Sequence, residues 1–199
     1  MTALVKKTVE TKKTDKVATH AISKVRSDKR VSATDTTRKV STSKSTPALR
    51  SSATLVRDLP FTEIYSAQPS DRIKFIKDGV PADYVVRISK SMGITRESLF
   101  NVLGLPKSTI ERKITHNQVL PPDQGERILG LAKLVGQVQV MVEQSGDPRG
   151  FDAAEWVASW ITAPSPALGG DTPASYMDTS EGQELVSGLI AKMQSGAYA

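Results

Sequence analysis

Five polar residues crowd the head of one short apolar-periodic run: Lys107, Ser108, Thr109, Arg112 and Lys113. Small hydroxyls and cations at the start of a helix can reach base edges in a DNA groove and the phosphates beside them. The run follows another across Gly104-Leu105-Pro106. A helix-turn-helix needs a tight turn there, commonly with a glycine at positive φ, and Gly104 holds that place. It also needs apolar residues about five and one before the glycine and about six and ten after it, and Leu99, Leu103, Ile110 and Ile114 satisfy this. Phe100 occupies a position where a small residue normally permits close helix contact. By spacing alone, the pattern also suits a helical hairpin inside a core.

Other chemistry is sparse. There are two histidines, His20 and His116, and neither has a spaced partner for a metal. The run LGGDTP lacks the length and lysine of a phosphate loop, and no nucleophile elbow is present. Asp147, Asp152 and Glu155 stand close together but suit helix capping. No enzyme, no metal and no cofactor is expected.

The elements that must position the polar cluster read as helices throughout. Ser70 or Asp71 is expected to cap a helix with Ile73 and Ile76 inward, ending at Gly79. Pro81 is placed in the first turn of a helix carrying Tyr84, Val85, Ile88 and Met92 on one stripe. Thr95 is expected to cap the helix before Gly104. The longest helix covers about 123–144, with Ile128, Leu131, Leu134, Val135, Val138 and Val142 at helical spacing. Trp156 and Trp160 then share a helix face. Asp178 and Glu181 stand as a capping box for a last helix with Leu185, Leu189 and Met193 on one face, ended by Gly196. With no strand signal, the fold class is all-α, in three parts: a disordered basic arm over 1–55, a helix-turn-helix domain over 56–135 and a small helical domain over 136–199.

Charge divides along the same lines. Residues 1–57 hold 14 Lys/Arg against 4 Asp/Glu, a net of +10. Residues 58–135 are near neutral, and residues 136–199 hold 2 against 8, a net of −6. The arm, free of aromatic residues, cannot bury enough surface to offset chain entropy; it suits either a polyanion partner or a solvating role. The acidic end suits a protein partner better than DNA. No cysteine occurs, which is compatible with a reducing cytoplasm, and no apolar run is long enough to span a membrane.

The C-terminal third carries a more specific pattern. Residues 120–142, LPPDQGERILGLAKLVGQVQVMV, are followed by a Trp-containing helix, then PSPALGGDTPASYMDT, then GQELVSGLIAKMQSGAYA. This series resembles the Xre/MbcA/ParS-type antitoxins of bacterial RES–Xre toxin–antitoxin pairs. The matching positions are Pro166-Ala167-Leu168-Gly169-Gly170 with Pro173, Thr179 with Gly182, and Gly196-Ala197-Tyr198. The spacing of the loop's first proline depends on whether Pro164 or Pro166 is taken. The long basic arm departs from the family pattern, and its role stays open.

The resemblance implies an Xre-like domain that binds its operon's own promoter and a C-terminal domain that neutralises a toxin. In the RES group that toxin consumes NAD, and the antitoxin's C-terminal end blocks its active site. It also implies a bacterial cytoplasmic protein and a homodimer. The expected DNA-facing residues are Lys107, Ser108, Thr109, Arg112 and Lys113. The expected toxin-facing residues are Leu185, Leu189, Met193, Gly196, Tyr198 and Ala199. Leu185, Leu189 and Met193 also read as core, as do the tryptophans. Tyr198 reads either as a frayed end or as a plug for a partner's pocket. The alternative for the whole chain is a stand-alone transcriptional regulator or nucleoid-associated protein.

Overall fold

In this computed structural model the described residues are 56–195. Among them the elements are α1 (Phe61–Ser66), α2 (Pro69–Asp78), α3 (Tyr84–Ser91), α4 (Arg96–Val102), α5 (Lys107–Thr115), α6 (Pro122–Ser145), α7 (Ala153–Thr162), two 3-10 turns (Pro166–Leu168 and Pro173–Tyr176) and α8 (Ser180–Gln194). The only extended pairing among them is an isolated bridge between Pro81 and Val119. The expected all-α class holds. The basic arm and residues 196–199 lie outside the described residues.

α6 organises the rest. It is 24 residues long, and Ile128, Leu129, Leu131, Ala132, Leu134, Val135 and Val138 are all buried along it. So many apolar positions cover more than one face, and α6 packs against α1, α2, α7 and α8. One continuous hydrophobic cluster runs from Val56 through Tyr84, Leu103 and Leu131 to Val157 and Ile190. The segments on either side of α6 therefore share a core. At Gly136 the backbone of α1 comes so close that a Cβ would lie 2.0 Å from the Phe61 carbonyl oxygen.

Several local expectations change. α2 starts at Pro69 with Gln68 before it, and neither Ser70 nor Asp71 caps it. Proline's fixed φ suits the first turn and removes an amide that would lack a partner there. That start turns Phe75 and Ile76 toward the core and leaves Ile73 51% exposed. Pro81 precedes α3 rather than opening it, because Ala82 N–H donates to Gln118 O (2.9 Å) and Leu120 N–H to Val80 O (2.7 Å). This short ladder ties the exit of α5 to the entrance of α3. α8 is capped by Thr179, whose hydroxyl accepts from Gly182 N–H at 3.1 Å, so Asp178 is left outside the cap. Thr95 does cap α4, accepting from Ser98 N–H at 3.1 Å.

Candidate functional site

The turn between α4 and α5 has the conformation that its glycine anticipates. Gly104 sits at φ +58°, and Leu105 N–H donates back to Phe100 O at 2.8 Å. Leu99, Leu103 and Ile110 are buried, and Ile114 packs against the core. Phe100 does not hold the helices apart; its ring is taken into the core at 2% exposure. Two ion pairs brace the hairpin: Lys107 Nζ to Glu97 Oε1 at 2.7 Å and Arg96 Nη1 to Glu111 Oε2 at 3.0 Å.

These contacts sort the five expected DNA-facing residues. Ser108 and Arg112 are exposed one turn apart, and Arg112 has no ionic partner among the described residues. Lys107 is exposed but paired with Glu97. Thr109 is half-buried. Lys113 is half-buried and donates to Val119 O at 3.1 Å, which draws it toward the loop after α5. No side chain caps α5, so its first amides remain available to an anion such as a DNA phosphate.

The hairpin is anchored by a residue that pattern reading overlooked. Arg127 on α6 donates from Nη1 to the carbonyls of Gly104 (3.0 Å) and Leu103 (3.3 Å). These are helix-end carbonyls with no partner inside α4. Gln183, buried on α8, donates from Nε2 to Arg127 O (3.0 Å) and Met177 O (2.9 Å). One turn further along, Gln137 Nε2 donates to Ser187 O (3.0 Å) and Ser187 Oγ donates back to Gln137 Oε1 (2.6 Å). A seam of polar contacts thus runs from the turn through α6 to α8. Nothing local in the sequence marks it, because the contacts from the turn to α6 and from α6 to α8 join residues 23 to 56 positions apart.

α8 presents two surfaces. Its inward face buries Val186, Leu189 and Ile190, while Leu185 is 45% exposed. Leu185 thus stands at the edge of the stripe it was expected to share with Leu189 and Met193; the helical period sets it about 40° from Leu189 but about 100° from Val186, near the centre of the buried face. Beside it stand Tyr176, Glu181 and Glu184. Tyr176 Oη donates to Asp171 Oδ2 at 3.1 Å, and that bond to a carboxylate pushes the phenol above its usual range. Asp171, Asp178, Glu181 and Glu184 have no ion pair among the described residues.

Toward the C-terminal end of α8, Met193 and Ile190 face Met141, Phe151 and Trp156 across an apolar groove of about 370 Å³. Trp156 and Trp160 stack with centroids 5.6 Å apart and planes 8° apart, and Phe151 lies 6.3 Å from Trp156. Both tryptophans pack against the core, as expected, without being fully covered. Asp152 caps their helix, accepting from Ala154 N–H (2.8 Å) and Glu155 N–H (3.0 Å). Of the six expected toxin-facing residues, Leu185 is exposed, Met193 edges the groove and Leu189 is buried at 7% exposure. Gly196, Tyr198 and Ala199 lie outside the described residues. Among the described residues no cluster of His, Cys, Asp or Glu could hold a metal, and no helix is long and apolar enough to cross a membrane.

Comparison with known proteins agrees with this arrangement. Residues 71–133 match the family model of the antitoxin Xre-like helix-turn-helix domain. Residues 150–196 match that of the antitoxin Xre/MbcA/ParS C-terminal toxin-binding domain. The pair defines an antitoxin with a helix-turn-helix domain and a toxin-binding domain, a protein that acts by binding and not an enzyme. The chain is 46% identical over 139 residues to the Prs ADP-ribosylating antitoxin of Sphingobium sp. (strain YBL2), covering 70% of this chain and 87% of that protein. It is 26% identical over 123 residues to Antitoxin Xre of Yersinia enterocolitica serotype O:8 / biotype 1B, covering 62% and 78%. The chain belongs to the Xre/MbcA/ParS family of antitoxins.

Proposed function

We propose that this antitoxin neutralises a RES-domain, NAD-consuming toxin by covering the toxin's active site with its C-terminal region, and that it represses its own operon through α4 and α5. The observation that carries the reading is the exposed outer face of α8, where Leu185 and unpaired carboxylates stand inside the matched toxin-binding domain. Met193 offers a further apolar contact at the neighbouring groove, Gly196, Tyr198 and Ala199 are assigned to the toxin from the family motif alone, and Leu189 supports α8 from within. The partner's chemistry is drawn from the RES–Xre motifs at 164–179 and 182–198 and from the relative named for ADP-ribosylation. Transfer of ADP-ribose consumes NAD, so such a toxin must hold a pyrophosphate with cations, and an acidic partner face complements it.

On the DNA side, Ser108 and Arg112 reach bases or phosphates, the bare amides of α5 hold a phosphate, and Lys107 and Lys113 add charge at the flanks. The arm over 1–55 adds contacts that do not depend on sequence. The chain acts as a homodimer on a two-fold operator, in the bacterial cytoplasm where NAD and promoter both lie.

Co-expression with the neighbouring gene product tests the first half. The full chain restores growth and NAD levels, and a chain lacking residues 196–199 does not. Full protection by the shortened chain would remove the active-site plug from the account. A chain that shifts its promoter but ignores its genomic neighbour is a stand-alone regulator instead.

A further inference from the structure

The pitch of α5 depends on the short turn before it. α4 ends at Val102 and α5 begins at Lys107, so only residues 103–106 lie between them. A peptide plane that rotates in so short a turn carries the next helix with it, and with the helix Ser108 and Arg112. The carbonyls of Leu103 and Gly104 are therefore where the turn is best held. Both accept from Nη1 of Arg127 on α6, at 3.3 and 3.0 Å. They stand at the negative end of α4, so a cation is the favoured donor. Arg127 is half-buried and has no ion pair among the described residues.

Arg127 is itself held from α8. Gln183, 8% exposed, donates from Nε2 to Arg127 O at 3.0 Å and to Met177 O at 2.9 Å. One amide thus ties α6 at Arg127 to the segment that enters α8. The residue after Met177 is Asp178, and it lies against the turn: a Cβ on Gly104 would stand 3.1 Å from Asp178 Cβ and 3.5 Å from Arg127 Nη1. Two elements therefore grip the turn, and Gln183 joins the two grips. Arg127 falls in the stretch matched as the helix-turn-helix domain, Gln183 and Asp178 in the stretch matched as the toxin-binding domain. Gln183 has room because Gly130 faces it, where a Cβ would lie 1.6 Å from Gln183 Oε1 and 2.6 Å from its Cδ.

We propose that Arg127 is a positioning residue for operator reading, one that fixes the approach of α5 to the groove without touching DNA, and that Gln183 of the toxin-binding domain holds Arg127 and Asp178 in register. The inference rests on the operator binding proposed above. Operator discrimination then depends on a residue of the half that meets the toxin.

Two variants separate this role from others. Arg127→Met keeps an unbranched side chain and removes its donors. Gly130→Ala leaves Arg127 and every residue of the hairpin unchanged but pushes the Gln183 amide off Arg127 O, while its gain in helix propensity protects the fold. The full chain and both variants are titrated with a promoter fragment and with a scrambled fragment of equal length over a range of salt, and melting curves are taken alongside. Both variants are expected to lose about tenfold in the ratio of promoter to scrambled affinity, the effect of one misaligned base contact. Affinity for the scrambled fragment and its salt slope are expected to stay as in the parent. An unchanged ratio in Arg127→Met overturns the proposal, whether or not the melting temperature falls. A joint fall in both affinities, with a salt slope shallower by about one, means that Arg127 meets a phosphate directly and overturns it as well. A loss in Arg127→Met with none in Gly130→Ala overturns the part given to Gln183. A parent chain with no preference for its promoter overturns the operator binding instead, and amide exchange then decides on the grip. Leu105 N–H, bonded to Phe100 O at 2.8 Å within the turn, is expected to exchange about tenfold faster in both variants. Exchange equal to the parent's overturns the grip.

Discussion

Replacing Gly136 by alanine sets helix propensity against packing. On propensity alone, alanine in the middle of α6 stabilises the helix by about 1 kcal/mol. The structure reverses the sign. The added Cβ would stand 2.0 Å from the Phe61 carbonyl oxygen, 2.5 Å from its carbon and 2.9 Å from Tyr65 Cβ. Ordinary contact begins near 3.4 Å, so α1 must retreat by at least about 1.4 Å. Backbone cannot rotate aside as a side chain can. Overpacking of this kind costs about 1–3 kcal/mol, and displacement of a whole helix belongs at or above the upper end, about 3 kcal/mol. The net is a loss of about 2 kcal/mol, or about 6 °C in Tm for an ordered unit of this size. Gly188 on α8 is the control, because a Cβ there meets nothing within 4 Å. Gly188→Ala is expected to gain about 0.5–1 kcal/mol. Urea unfolding of both variants under one condition gives the comparison. A Gly136→Ala protein as stable as the parent would refute the tight α1–α6 contact and with it the reasoning.

Tyr84→Phe removes a fully buried hydroxyl that has no hydrogen-bond partner in the structure, and is expected to leave stability at pH 7 unchanged or raise it by about 1 kcal/mol. Burial pushes the Tyr84 phenol well above its usual range, with nearby Arg87 opposing, so the folded state resists its ionisation. Its contribution is present below the ordinary tyrosine pKa of about 10 and is lost as pH rises beyond it, so unfolding curves at alkaline pH are expected to separate parent from Tyr84→Phe. Arg112→Ala is expected to weaken operator binding by about 1–3 kcal/mol in a mobility-shift titration. Removal of residues 1–50 is expected to flatten its salt dependence. Asp152→Ala deprives two amides at the start of α7 of their acceptor and is expected to cost about 1 kcal/mol in urea unfolding.

The hairpin was legible because its signals are local. Gly104, Leu99, Leu103, Ile110 and Ile114 lie within sixteen positions, and turn chemistry plus helical period suffices to arrange them. Thr95 was legible as a cap for the same reason. Competition between neighbouring candidates was harder to read. Pro69 displaced Ser70 and Asp71 by fixing the helix start, and Thr179 displaced Asp178 with an equally good side chain one residue on. The helical stripe proposed for Leu185, Leu189 and Met193 was about a sixth of a turn off, since Val186 and Ile190 complete the inward face and leave Leu185 at its edge. Arg127 and Gln183 were illegible on principle. Each looks like an ordinary polar residue on a helix until folding brings it to carbonyls far along the chain. The residues expected to face DNA and toxin came from charge and family motifs, which mark a face of a helix but not the neighbours that redirect Lys113 or cover Leu189.

α6 is a strut of 24 residues, about 36 Å, helical from Pro122 to Ser145. The α4–α5 hairpin is moored at one end, through Arg127, and the Trp helix packs toward the other. Cargo held on α8 by an operator-bound antitoxin would ride at a fixed height and azimuth over the duplex, as if on a mast. Neighbouring operators spaced by whole turns of DNA would stack such cargo on one side, and half-turn spacing would set it on opposite sides.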